Sequence, residues 1–467
     1  MTIFYTLISL LPAWAIGNSI TSRLNSFQLN SFKLMRLALS LGSGLAITSV
    51  LLFFWLLIFD GNTEYYTVFE LLAGLIAFFL PKRVKALSEA KLERESDNFC
   101  DKRTIYFFFG ALFLLLTLSI LQISLHTPHG NWDAWSIWNV RARFIFRAGE
   151  NWKTAFSDKM PFSHPDYPLL IPLTVVRGWI YARQETLTSQ IATSIIFSAL
   201  VFLMLFNGVF ATRGGIAAFL AAATLASTPY FLQMSASQYA DLPLAFFFLA
   251  TFLLIAINLR QPSTSLMIFA GMNAGFAAWT KNEGLLFSVV MLLVVIILAL
   301  KTRTRSPASH SVGGFVFGLL LMMIPVAVFK LSLAPANYIT KELSPGILSQ
   351  MVDLERLSII LKHMVVSATN FGLWNQMSKG FFNPIPIMFA YLLWAGVKLK
   401  STENWLFPAV LLTMLGGYVI AYMASPHELT WHLNSSSNRL FLQLWPAAIF
   451  TFFLLAPKSA DITDNHE

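Results

Sequence analysis

Apolar runs of membrane-crossing length, joined by short charged loops, dominate this chain. A bilayer core about 30 Å thick takes roughly 20 apolar residues per helix, and backbone groups left unpaired in hydrocarbon are too costly for any open alternative. Thirteen runs qualify as candidates, at about 1–19, 37–59, 65–81, 104–125, 187–209, 214–230, 240–258, 265–280, 284–300, 311–330, 380–397, 404–423 and 440–456. The stretch 167–182 is apolar too, but Pro168, Pro172, Arg177 and Arg183 interrupt it, so it reads as interfacial or re-entrant. The expected fold class is all-α, a polytopic membrane protein with about 13 transmembrane helices.

Charged residues are 12% of the sequence, about half the roughly 25% of a soluble protein, while 56% of residues are hydrophobic. A soluble monomer is excluded. The net charge of +9 would suggest a nucleic-acid partner if it were clustered, but the charges are dispersed through short loops. Membrane lipids, and no nucleic acid, are the expected partners. A single cysteine, Cys100, rules out an internal disulfide and a cysteine-based zinc site.

Lysine and arginine favour one side of the membrane. Arg23, Lys33, Arg36, the run from Lys82 to Arg103, Arg213, Arg260, Lys301, Arg303, Arg305, Lys398, Lys400 and Lys458 all fall there, which marks that face as cytoplasmic. The stretch 82–103 reads as a helical connector. The opposite face receives the long segments 126–186 and about 331–379 and the shorter 424–439. Loops of such length commonly carry function.

Five pieces of chemistry fall on that outer face. The first is Asn131-Trp132-Asp133-Ala134-Trp135-Ser136-Ile137-Trp138. Asn131 is placed to cap a helix ending before Gly149, and the tryptophans recur every three residues, as on an interfacial helix. Asp133 sits in the first turn, either as a capping acid or as a site acid. Arg141, Arg143 and Arg147 follow on the same helix. The second piece is His164-Pro165-Asp166-Tyr167-Pro168, where two prolines restrict the backbone. The third, Tyr239-Ala240-Asp241-Leu242-Pro243-Leu244, puts an acid at the outer start of a span, where it is costly unless paired or functional. The fourth, Thr280-Lys281-Asn282-Glu283-Gly284, is a very tight turn between spans. The fifth, from His432 to Arg439, opens the last span. One shared outer cavity would account for all five. Its chemistry suits a phosphate-bearing lipid, with basic groups for the phosphate, aromatics for the isoprenoid or sugar, and an acid for proton transfer.

These motifs resemble the polytopic glycosyltransferases of the GT-C superfamily, in particular the protein O-mannosyltransferases and the aminoarabinose transferases of lipid A. Asp133 matches the acid of the first large outer loop. Asp241-Leu242-Pro243-Leu244 matches the second acid before a Pro-Leu pair. Gly271 to Gly275 with Thr280-Lys281-Asn282-Glu283-Gly284 matches a small-residue helix ending in Thr-Lys-x-x-Gly. The likeness covers about 104–300 well. Two departures stand out. Three spans precede the first catalytic loop, and that loop has Asp-Ala-Trp in place of Asp-x-Asp or Glu-x-Asp. One carboxylate is a poor lone ligand for a hard cation, so neither metal nor other cofactor is expected.

The resemblance implies a three-span extension with its linker over 1–103, a catalytic transmembrane module over 104–330, and an outer loop with interfacial helices followed by C-terminal spans over 331–467. It implies transfer of a sugar, with inversion, from a polyprenyl-phosphate donor to a lipid, glycan or protein acceptor, at the periplasmic face of a bacterial inner membrane. Asp133 and Asp241 are the expected catalytic acids. Arg141, Arg143, His164, Asp166, Tyr167, Lys281, Glu283, His432 and Arg439 are the expected substrate- and phosphate-binding residues. A polysaccharide ligase or polymerase using undecaprenyl-diphosphate donors is one rival reading. A lipid or solute transporter is another, although no repeat is visible and the acids of these motifs cluster at one membrane boundary. No P-loop occurs, which argues against an ATP-driven pump.

Overall fold

The structure, a computed structural model, describes residues 2–24, 32–80, 101–301, 307–336, 349–371, 383–396 and 402–456. Most of the basic connector 82–103, together with Arg303, Arg305, Lys398, Lys400, Lys458 and parts of the segment 331–379, lies outside the described residues.

The described residues form helices and no strand. The first four are α1 (Thr2–Thr21), α2 (Lys33–Ile58), α3 (Tyr66–Phe79) and α4 (Lys102–His126). After a loop come α5 (Asn139–Arg147), α6 (Leu170–Ala182), α7 (Leu187–Arg213), α8 (Gly215–Ala226) and α9 (Pro229–Ala236). Then follow α10 (Asp241–Arg260), α11 (Thr264–Thr280), α12 (Asn282–Lys301) and α13 (Pro307–Ser332). The last are α14 (Leu354–Asn370), α15 (Pro384–Ala395), α16 (Thr402–Met423) and α17 (Leu429–Leu455).

Among the described residues nine helices are long and apolar enough to cross a membrane, or ten if the bent pair α8–α9 is one span. The other expected runs give shorter helices. The 14 residues of α3 rise only about 21 Å. The 17 residues of α11 and the 12 of α15 are also short. Pro229 opens α9 after a bend of 66°, since proline lacks the N–H that would continue α8.

The stretch read as interfacial or re-entrant is α6, and all of its residues are buried. Pro172 is tolerated in its first turn, where the N–H needs no helical partner. Arg177 is 1% exposed and pairs at 2.6 Å with Glu70 of α3, which is 0% exposed. Its guanidinium also donates to the Ser9 carbonyl of α1 at 2.9 Å. A charge in an apolar interior persists only when paired, so this contact ties the N-terminal helices to α6.

The core centres on α10, whose residues from Asp241 to Asn258 are all buried. It packs against α7, α11 and α17. Helix α11 lies closely against α13, because Gly318 leaves no side chain to strike the Ile268 carbonyl. These contacts bring the starts of α10 and α12 and one face of α17 to the same end of the bundle.

Candidate active site

The loop after α4 is fastened to the corner between α9 and α10. Gly130 has φ +71, and a Cβ there would stand 2.6 Å from the Ser237 carbonyl oxygen. The Asn131 amide N–H donates to that carbonyl at 3.2 Å, and its side chain donates to Ser237 Oγ at 2.8 Å. Asn131 therefore anchors the loop and does not cap the helix. Gln238, at φ 60, donates to the Pro128 carbonyl at 2.9 Å and accepts from Asn139 Nδ2 at 2.9 Å. These bonds carry Asp133 to the start of α10.

The tryptophans do not share a face. Residues Ala134–Trp138 form a π turn, whose wider i→i+5 bonding breaks the threefold spacing. Trp132 and Trp135 remain exposed, with ring centroids 4.4 Å apart. Trp138 turns fully inward and stacks on Tyr167 at 5.7 Å.

Asp133, Asp241, Lys281, Glu283 and Arg439 form one chain of ion pairs. Arg439 places Nη2 at 2.7 Å from Asp133 Oδ2 and Nε at 3.1 Å from Asp241 Oδ2. Lys281 Nζ lies 3.0 Å from Asp241 Oδ1 and 2.7 Å from Glu283 Oε1. Gln443 donates to Asp241 Oδ1 at 2.6 Å and accepts from the Tyr418 hydroxyl at 3.1 Å. Asp241 is thus saturated and inaccessible, at 0% side-chain exposure, whereas Asp133 at 13% and Arg439 at 15% reach the surface of the cluster. Burial depresses the basicity of Lys281, but Asp241 and Glu283 more than restore it, so the ammonium keeps its proton. The Tyr239 hydroxyl accepts from the Asp133 N–H at 3.2 Å, and the Arg439 guanidinium stands 4.8 Å from the Tyr239 ring centroid. Burial, with Asp133 nearby, pushes the Tyr239 phenol up to about 12.

Arg439 occupies the interior of α17, not a loop before it. Glu428 caps that helix by accepting from the Thr430 N–H at 2.9 Å, which lets the helix begin at Leu429.

His164, Asp166 and Tyr167 form an adjoining turn. Arg141, 1% exposed, donates to the carbonyls of Tyr167 at 2.7 Å and Ser163 at 2.8 Å, and also to that of His164. Burial lowers its guanidinium to about 10, still protonated at neutral pH. His164 takes a left-handed φ of 46, and its ring stacks on Tyr167 at 4.7 Å. Burial lowers its imidazole below the ordinary value, although Asp166 and Asp133 pull the other way. Asn282 donates to Asp166 Oδ2 at 2.8 Å. Lys330, at the end of α13, donates to the Asp166 carbonyl at 2.6 Å and to Asn282 Oδ1 at 2.8 Å.

Two expected residues point elsewhere. Arg143 faces Glu185 at 3.5 Å beside Arg147, on the outside of α5. His432 lies 2.8 Å from Ser425 Oγ, among the rings of Tyr422 and His427.

Sequence reasoning passed over Asn282, Lys330 and Gln443 as site members. Gln443 carried a usable signal. It follows Arg439 by one helical turn inside an apolar run, so the two face the same way. Lys330 is the last residue of the run 311–330 read as a span.

No curated protein and no solved structure matches the chain. A family model described as dolichyl-phosphate-mannose-protein mannosyltransferase matches residues 175–329. The matched stretch contains Asp241, Lys281, Asn282 and Glu283. Over that stretch, about a third of the chain, the protein is similar to a family of membrane glycosyltransferases of the GT-C type.

Proposed function

We propose that the protein transfers a sugar from a polyprenyl-phosphate carrier to a hydroxyl acceptor (lipid, glycan or protein) at the outer, periplasmic face of a bacterial inner membrane. The observation that carries this reading is the convergence of Asp133 and Asp241 on one guanidinium, Arg439, beside exposed indoles. A carboxylate that is both accessible and fixed suits general-base catalysis. In the proposed step Asp133 takes the proton of the acceptor hydroxyl. The hydroxyl oxygen bonds to the anomeric carbon, and the bond from that carbon to the phosphate oxygen breaks with its electron pair. Polyprenyl phosphate leaves, and direct displacement inverts the anomeric centre.

The buried partners act by positioning. Asp241 holds Arg439, which in turn holds Asp133, and Lys281 pairs with Asp241. The exposed Trp132 and Trp135 offer an apolar surface for the isoprenoid.

The test is sugar transfer in lipid nanodiscs, with polyprenyl-monophosphate sugars beside diphosphate-linked glycans. Turnover with a monophosphate donor and an inverted product supports the proposal. Turnover with the diphosphate donor alone replaces it with polysaccharide ligation or polymerisation. Movement of donor across the bilayer without transfer replaces it with transport.

A further inference from the structure

The charges of the site divide unequally. Around Asp241 three carboxylates, Asp133, Asp241 and Glu283, face two cations, Lys281 and Arg439. Around Asp166 the balance reverses, with Arg141 and Lys330 facing a single carboxylate. The two groups join at the turn Lys281-Asn282-Glu283, where Lys281 and Glu283 serve the first and Asn282 serves the second. One half of the site is short of positive charge and the other has an excess.

Within the second group the cations differ in reach. Arg141 is sealed at 1% exposure, and its two terminal nitrogens donate to backbone carbonyls. The Lys330 side chain is 24% exposed. Its two short hydrogen bonds go to neutral acceptors, the Asp166 carbonyl and Asn282 Oδ1. The Asp166 carboxylate stands off at 3.8 Å and is itself held by Asn282. An ammonium has three donors, and the third faces the Asp166 carboxylate only at 3.8 Å, beyond hydrogen-bond range, which leaves it able to turn to an anion.

We infer that Lys330 is the anchor for the donor's phosphate, with Asn282 and Asp166 as its positioning residues. This deepens the proposed function and rests on the donor being a phosphate carrier. Arg439 and Lys281, outnumbered by carboxylates, order the base instead. The base then lies in the anionic half and the leaving group in the cationic half, which separates proton acceptance from phosphate departure within one site.

The probe is polyprenyl monophosphate beside the uncharged polyprenol of equal length, each titrated against the full-length protein in nanodiscs. The wild type is expected to bind the phosphate more tightly than the alcohol. Lys330→Met should lose about tenfold of that preference, the scale of one charge-assisted hydrogen bond. Lys330→Arg should retain most of it, and Lys153→Met, which removes an exposed cation paired with Asp60, should change nothing. Lys330→Gln guards against misfolding, since it keeps a donor for the Asp166 and Asn282 oxygens without the charge, and it should behave like Met. An undiminished phosphate preference in the Met or Gln variant overturns the assignment. Phosphate preference that depends on Lys330, in a wild type that transfers no sugar, leaves the anchor standing and rejects the transfer reaction.

Discussion

Asp133, in the loop after α4, and Arg439, in the last described helix, meet at 2.7 Å. The same guanidinium holds Asp241 at 3.1 Å, so the accessible acid is oriented by the buried one through a shared cation. Under the proposed function, proton transfer falls to Asp133, and Asp241 fixes its geometry through Arg439.

Asp133→Asn keeps the size of the side chain and a hydrogen-bonding oxygen while removing the base. Turnover should fall about 10²–10⁴-fold, the usual contribution of a general base. The unfolding temperature should stay within a few degrees of wild type, because Arg439 keeps Asp241. Initial rates and thermal unfolding in the same nanodiscs check this. An Asn variant at wild-type rate removes Asp133 from the mechanism.

Gly130→Ala tests how the loop places that acid. A Cβ at φ +71 meets the Ser237 carbonyl at 2.6 Å and Ala134 Cβ at 2.7 Å, and the backbone conformation itself is disfavoured for alanine. The loop must shift, and Asp133 with it. The expected result is a fall in kcat of at least about tenfold, with a smaller change in donor KM, since displacement by an ångström is costly to reaction geometry. Unchanged kcat would show that the loop seats Asp133 without this close approach.

Arg177→Met leaves the Glu70 carboxylate buried without its cation. Loss of one partner from a buried pair costs about 3–5 kcal/mol. The double variant Glu70→Gln with Arg177→Met should recover most of the loss, because no buried charge remains. Denaturant unfolding of the two single variants and the double variant measures the coupling. Additive effects would mean that the pair contributes little.

His164 supplies a pH dependence with a definite sign. Burial lowers its folded-state affinity for protons below that of the unfolded chain. The unfolded state therefore binds more protons once the pH drops below about 6.5, and stability declines from there through the lower folded value. His164→Gln should flatten the change in unfolding temperature between pH 7.5 and pH 5.5. An identical slope in the two proteins would assign the acid sensitivity to other groups.

The helical architecture was legible because span-length apolar runs leave few alternatives, and α2, α7 and α10 fall close to where hydropathy puts them. The family likeness was read from Asp241-Leu242-Pro243-Leu244 and Thr280-Lys281-Asn282-Glu283-Gly284, two short motifs that fall within the matched residues 175–329. Side-chain direction was harder. The π turn rotates Trp138 away from Trp132 and Trp135, and no spacing rule for an α-helix foresees that. Glu70 sits inside a run that reads as apolar and Arg177 reads as an interruption of 167–182, and only packing reveals that they meet. Lys330 and Asp166 are likewise far apart in the chain, and their juxtaposition comes from the close approach of α11 and α13 and the single-residue turn at Lys281.

The position of Arg439 on α17 has a consequence for biogenesis. During synthesis Asp133 and Asp241 are made well before their common counterion, and Asp241 has Lys281 alone as its ion-pair partner until then. The nascent chain can insert most of its helices and still lack an assembled centre. Docking of the final described helix is then the event that completes the ion-pair centre.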